Sequence, residues 1–193
     1  LKYFHQLDGN GLAAPSANKF GAVSPTDAIS VEEDIGHELN DKIDFILDGG
    51  QSEIGVESTI IDCLSATLPK ILRSGVVTQK NIESKTGYQA NKNLNEKLIR
   101  FPGGMESHYA PNAKVVIEGS PRKGDGFIAL SSIDTPEGCV RLSSPLNLSE
   151  YARDLYSALR RGDKQELKRI YVLIPEGDGI ALAIRERMTK ASR

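Results

Sequence analysis

Four short stretches of this sequence hold side chains able to grip an anion or a polar substrate. In Pro15-Ser16-Ala17-Asn18 a hydroxyl and an amide stand two residues apart. On a turn with free backbone N–H groups they can hold phosphate oxygens without bringing charge, and the same residue types also make an ordinary Ser/Asn turn. Ser58 and Thr59, in Gly55-Val56-Glu57-Ser58-Thr59, open an apolar run, so their hydroxyls can face a cleft at a strand edge. Hydroxyl residues at strand starts are equally commonplace. Arg73 follows Ile71-Leu72 and precedes Ser74-Gly75. There a guanidinium can clamp phosphate through two parallel N–H donors, or simply be solvated. His108 stands beside Tyr109 in a loop bounded by Pro102-Gly103-Gly104 and Pro111, and is the histidine to single out, as a ligand contact or as a packed loop residue. His37 lies among Glu32, Glu33, Asp34 and Glu38 and reads as a helix-surface residue, while His5 carries no signal.

Other chemistries lack their residues. The chain contains no HxxxH, HExxH or Asp-rich metal loop, no GxSxG and no GxxxxGK[ST], so neither a zinc hydrolase nor a Ser–His–Asp hydrolase is supported. Cys63 and Cys139 belong to no CxxC pair, and two unpaired thiols suit a reducing compartment. Net charge is -2, so no global positive field recommends the chain for indiscriminate nucleic-acid binding. Arg160-Arg161 closes a helix candidate, where it complements the macrodipole.

The elements that must position these groups form an α/β pattern in a chain long enough for one domain or two small ones, 193 residues with 39% hydrophobic and 26% charged. No run approaches the roughly 20 apolar residues of a membrane span, and the first six residues hold no signal-peptide apolar region. Leu12-Ala13-Ala14 and Phe45-Ile46-Leu47 are short strand candidates. Ser24-Pro25-Thr26-Asp27 reads as a helix start, with Ser24 as cap and Pro25 at the first helical position, followed by Ala28, Val31, Ile35 and Leu39 at helical spacing. Ser58–Asp62 and Lys70–Arg73 suggest a hairpin or neighbouring strands, and a helix from Thr78 to Thr86 ends at Gly87. Residues 88 to 100 are rich in Asn, Lys and Gln and read as a linker. Beyond Asn112, strands are expected at Lys114–Ile117, Gly126–Leu130, Cys139–Leu142 and Ile170–Ile174, with helices at Ser149–Arg161 and Gly179–Ala191, together a small α/β sheet.

Taken in order, Ala13-Ala14-Pro15-Ser16-Ala17-Asn18, Ser24-Pro25-Thr26, Asp48-Gly49-Gly50, Gly55-Val56-Glu57-Ser58-Thr59 and Ile71-Leu72-Arg73-Ser74-Gly75 resemble the second half of a YrdC-family domain. Pro102-Gly103 through His108-Tyr109-Ala110-Pro111, and the ending Ala183-Ile184-Arg185-Glu186-Arg187-Met188, resemble the linker and C-terminal domain of the longer threonylcarbamoyl-AMP synthases. The resemblance implies an α/β chain: residues 1–87 the C-terminal half of a twisted YrdC-like catalytic domain, 88–112 a linker and active-site lid, and 113–193 a small Rossmann-like domain. It implies a nucleotidyltransferase that joins L-threonine, bicarbonate and ATP, with Mg2+, and releases pyrophosphate in the cytoplasm. Other proteins, a threonylcarbamoyl-transfer complex, then modify tRNA.

Carried over by motif, Ser16, Asn18, Ser24, Arg73, His108 and Tyr109 would bind ATP, and Ala14 and Ser58 would lie near threonine. No catalytic group and no metal ligand is assigned. The family's Lys-x-Arg motif has no counterpart before Pro15, and the chain has no initial Met. A fragment, inactive by itself, is therefore expected. Gly104-Met105-Glu106-Ser107 also departs from the basic and aromatic residues usual before the His-Tyr pair, and Glu106 would face a polyphosphate unfavourably. Two other readings remain: a non-catalytic RNA-binding or regulatory module, in contact with tRNA or double-stranded RNA, and the YrdC unit of a hydrogenase-maturation carbamoyltransferase. The His108-Tyr109 lid and the appended α/β segment disfavour the last.

Overall fold

The computed structural model describes residues 2–14, 16–19, 21–64, 68–89, 101–104 and 108–193. The first portion contains α1 (Lys2–Gln6), α2 (Ala28–Ile35), the antiparallel pair β1 (Ile60–Asp62) and β2 (Lys70–Arg73), and α3 (Gln79–Thr86). The hairpin reading of β1 and β2 holds. So does α3, capped by Thr78 through a reciprocal bond with Asn81 and ended by left-handed Gly87. Three expectations fail. Leu12-Ala13-Ala14 is exposed and not a strand. Phe45 and Leu47 are 76% and 83% exposed and also lie in irregular backbone, because no described strand pairs with them. Asp27 rather than Ser24 caps α2, its side chain accepting from Ser30 N, while the Ser24 hydroxyl is drawn away to Glu57. His37 is exposed beside Glu38, as expected.

The C-terminal portion is built on β3 (Lys114–Val116), β4 (Gly126–Ile128), β5 (Val140–Ser143) and β6 (Arg169–Val172), all parallel in the order β3-β6-β4-β5. Strand alternation sorts the side chains. Val115, Ile128, Leu142, Ile170 and Val172 share one core with α4 (Leu148–Lys164) and α5 (Ile180–Ala191). Phe127 and Tyr171 form a separate cluster on the other face, where their rings stack and Arg141 lies over Phe127. The expected strands and helices of this region are all present, each within a few residues of its expected bounds. One detail differs: Asn147, not Ser149, caps α4, accepting from the Glu150 N–H, because its backbone is still extended while Ser149 already lies in the first turn.

Helix α4 shows why the sheet is covered. Tyr151, Ala152, Leu155, Tyr156, Ala158, Leu159 and Gly162 recur on one stripe, and all are buried. Gly162 lets α4 approach β6 closely, since a Cβ there would displace the Cδ1 methyl of Ile170.

The two portions share one core. Val23 and Val56 belong to the cluster built on α4, α5 and the parallel sheet. Gly55 lies so close to α4 that a Cβ would strike the backbone carbonyls of Ala152 and Arg153. Around this contact Arg160 donates to both oxygens of Asp34 and to Val23 O, and Lys164 bonds Glu33 at 2.6 Å. Residues 90–100 of the expected linker, and the Met105-Glu106-Ser107 departure, lie outside the described residues.

Candidate functional site

At the end of β2 the chain turns Arg73 inward, to 9% exposure. Its Nε donates to Ser58 O at 3.0 Å, its Nη2 to Ser58 Oγ at 3.3 Å and its Nη1 to Pro102 O at 2.9 Å. Arg73 and Ser58, separated by 15 residues, are thus direct partners, and the Pro102-Gly103 turn closes over them. The solvated-Arg alternative is excluded by this burial.

Beside Ser58, Glu57 is the centre of a network that sequence reasoning missed. Its carboxylate accepts from Ser24 Oγ at 2.7 Å, Tyr156 Oη at 3.0 Å and Arg187 Nε at 3.0 Å. Arg187, fully buried on α5, also donates to Ser74 O and Glu57 O. Burial alone would raise the Glu57 pKa, but the Arg187 charge and the Ser24 hydroxyl outweigh it and hold the carboxyl below its ordinary value. Burial pushes the Tyr156 phenol well up, and the Glu57 charge adds to it, so Tyr156 stays a donor. The signal for Arg187 was there to be read: it falls three residues after Ile184 and four before Ala191, on the apolar face of its helix.

His108 and Tyr109 sit against this network. Tyr109 is 2% exposed, stacks on Tyr156 with centroids 5.8 Å apart, and has the Arg187 guanidinium 5.8 Å from its ring. Its φ of 64° is left-handed, unusual for an aromatic residue and sustained here by packing on both sides. The His108 ring meets Tyr109 edge-on at 4.2 Å. Burial lowers the His108 pKa, and the Lys190 and Arg73 charges add to that against Glu57, so the ring favours its neutral form. Lys190, which sequence reasoning also missed, donates from Nζ to Gly103 O and lies 5.9 Å from the Phe101 ring.

The other expected site residues are less closely gathered. Asn18 donates to Ala22 O, and Ala22 pairs with Ala110, so Asn18 stands one strand bridge from the His-Tyr segment. Ala14 and Ser16 are exposed, and Pro15 lies outside the described residues. A cavity of ≈ 620 Å³ between β2, α3 and the start of α5 is lined by Thr59, Ser74, Thr78 and Leu182 among others, so of the candidate hydroxyls Thr59 faces a cleft, while none of the residues expected to bind ATP or threonine lines it. Among the described residues no cluster of three or more His, Cys, Asp or Glu is placed to hold a metal ion, and no helix is long and apolar enough to cross a membrane.

Known proteins share this sequence pattern and this fold. Residues 77–193 match the family described as "Threonylcarbamoyl-AMP synthase, C-terminal domain", and residues 1–75 match the one described as "Telomere recombination". The chain is similar to the threonylcarbamoyl-AMP synthase of Bacillus subtilis, 36% identical over 95% of this chain and 58% of the relative. It is also similar to that of Pyrococcus abyssi, 34% identical over 97% of this chain and 59% of the relative. The chain thus spans somewhat over half the length of these relatives. Among solved structures it resembles P. abyssi Sua5 complexed with L-threonine, at a TM-score of 0.73 and 33% identity over 93% of this chain and 57% of that one. It also resembles a variant of that protein in which a consecutive His-Tyr pair is replaced by alanines, at a TM-score of 0.70 and 33% identity over 93% of this chain and 56% of that one.

Proposed function

The chain belongs to the threonylcarbamoyl-AMP synthase family, and on that premise we propose that it serves the joining of L-threonine, bicarbonate and ATP into threonylcarbamoyl-AMP with release of pyrophosphate. The observation that carries this reading is the convergence of Ser58, Arg73 and the Pro102-Gly103 turn beside His108 and Tyr109. In this reading Ser16, Asn18 and Ser24 line the nucleotide, Ala14 and Ser58 the threonine, and Arg73 the phosphates. His108-Tyr109, the one His-Tyr pair of this chain, covers the site. The pair altered in the P. abyssi variant supports looking there first.

The reaction asks for positioning more than covalent help. Bicarbonate gives CO2 with loss of its hydroxyl as water, and threonine nitrogen bonds to that carbon and gives up the proton the water needs. A carboxylate oxygen of the resulting N-carboxythreonine then bonds to the α-phosphorus as the bond to the pyrophosphate oxygen breaks. Arg73 would stabilise negative charge on the phosphates through its two terminal nitrogens, once they exchange Pro102 O and Ser58 Oγ for phosphate oxygens. Both carbamate and mixed anhydride are labile to water, so a buried Tyr109 over the site has a protective role. Mg2+ would enter with the ATP phosphates, whose oxygens and water serve it as ligands. Transfer onto tRNA by a separate complex, and action in the cytoplasm, belong to the same reading.

The test is pyrophosphate release from ATP, with and without threonine and bicarbonate. It is run on this chain and on the chain joined to the segment by which its relatives are longer. Release that needs both co-substrates supports the reading, and release indifferent to threonine, or none from either protein, refutes it. The expectation that the chain by itself is inactive is tested by the first arm.

A further inference from the structure

We propose that Arg187 of α5 is a positioning residue for Ser58: by gripping Glu57 and Ser74 it holds the Glu57-Ser58-Thr59 segment in the place where threonine meets it. The proposal rests on the reading of Ser58 as a threonine contact, and it gives the C-terminal portion a part in that subsite.

Three donors of one guanidinium reach three oxygens of two segments. Nε bonds Glu57 Oε2 at 3.0 Å, Nη2 bonds Glu57 O at 3.2 Å, and Nη1 bonds Ser74 O. Glu57 O belongs to the peptide unit whose nitrogen is that of Ser58, and this unit is planar, so the Nη2 contact orients the start of Ser58 itself. Glu186, the preceding residue of α5, accepts from Ser74 N and Ser74 Oγ, both at 3.1 Å. Both main-chain polar groups of Ser74 thus end on α5. The two gripped segments also touch each other: a Cβ on Gly75 would lie 2.3 Å from the Thr59 nitrogen and 2.6 Å from the Ser58 carbonyl carbon. The Glu57 carboxylate is braced further, by Tyr156 Oη on the oxygen that Arg187 holds and by Ser24 Oγ on the other. Stability alone does not call for this arrangement, because apolar residues of similar volume often replace a buried ion pair without loss. A planar fork with fixed donor directions does something they cannot, which is to set three oxygens relative to one another. The grip also crosses between two family matches, since Ser58 and Ser74 lie in the part matched over 1–75 and Arg187 in the part matched over 77–193.

The experiment measures the threonine and ATP KM values by pyrophosphate release. It uses the chain joined to the segment by which its relatives are longer, at a temperature well below each variant's unfolding midpoint. Arg187→Lys keeps a charge opposite Glu57 but loses the fork, and is expected to raise the threonine KM about tenfold, the size of one hydrogen bond to a charged group. Tyr156→Phe is expected to raise it about threefold, because Arg187 and Ser24 still hold Glu57. Glu186 still holds Ser74 in both variants, so the ATP KM is expected to change less than the threonine KM. If Arg187→Lys does not fold, Tyr156→Phe supplies the same reading with the ion pair intact. A merely structural Arg187 would lower the folded fraction, and with it the apparent kcat, at unchanged KM values. An unchanged threonine KM, or equal rises in both KM values, overturns the positioning role and leaves the function proposed above standing. If the unaltered joined protein releases pyrophosphate without needing threonine, or releases none, that function and this role of Arg187 fall together.

Discussion

Arg187→Met is the perturbation that reaches furthest, because Arg187 ties α5 to the segment carrying Ser58. The substitution keeps much of the side-chain volume but removes the donors to Glu57 Oε2 at 3.0 Å, to Glu57 O at 3.2 Å and to Ser74 O. Breaking a buried ion pair by deleting one partner costs about 3–5 kcal/mol, most of it from the stranded charge. Here the stranded Glu57 side chain is 21% exposed and keeps donors from Ser24 and Tyr156, which argues for the low end, about 3 kcal/mol. Urea unfolding of Arg187→Met, Glu57→Gln and the double variant reads this directly. A coupling of about 2 kcal/mol between the two sites is expected. The acid limb supplies a second reading. The Glu57 pKa is depressed in the folded chain, so its contribution is complete above the ordinary value of 4.5 and is lost as pH falls through the lower folded value. Glu57→Gln is expected to remove that part of the acid sensitivity. A loss below about 1 kcal/mol in Arg187→Met, the level of an exposed pair, together with an unchanged acid limb in Glu57→Gln, would refute the reasoning.

Gly55→Ala is expected to destabilise by about 2 kcal/mol or more, because its Cβ meets backbone carbonyls of α4 that cannot rotate away; thermal or urea unfolding measures it. Asp34→Asn, which breaks the largely shielded pair with Arg160, is expected to cost about 1–2 kcal/mol, whereas Glu33→Gln, breaking the exposed pair with Lys164, should change stability by less than about 0.5 kcal/mol. Equal effects in the two would show that burial does not set their worth. His108 has a folded pKa below its ordinary 6.5, so the unfolded chain takes up its proton first and stability falls as pH drops through that range. An NMR titration midpoint at or above 6.5 would contradict the half-buried, cation-flanked placement.

Much of the fold could be read locally. The stripe of α4, the Thr78 cap and Gly87 stop of α3, and the alternation of β3 to β6 follow repeats and end signals written into neighbouring residues. The motif carrying Ser58 and the one carrying Arg73 were legible as candidate anion contacts for the same reason: each lies within a few residues of its own strand. Short apolar runs misled where the deciding fact was a partner strand. Phe45-Ile46-Leu47 has strand composition, yet nothing described pairs with it.

What sequence could not supply was who meets whom across the chain. Glu57 and Arg187 are 130 residues apart, Ser74 and Glu186 112, and Lys190 and Gly103 87. Taken alone, each is an ordinary charged or small residue, and an arginine or lysine near a helix end reads as a solvated cation. Burial turned Arg187 from a surface charge into the partner of Glu57, and packing brought Lys190 to the same turn as Arg73. The sequence by itself therefore determined the elements from β1 onward, their faces and the family they resemble. The tertiary structure alone decided which charges are removed from water together, because that depends on the closing of distances that no local repeat encodes.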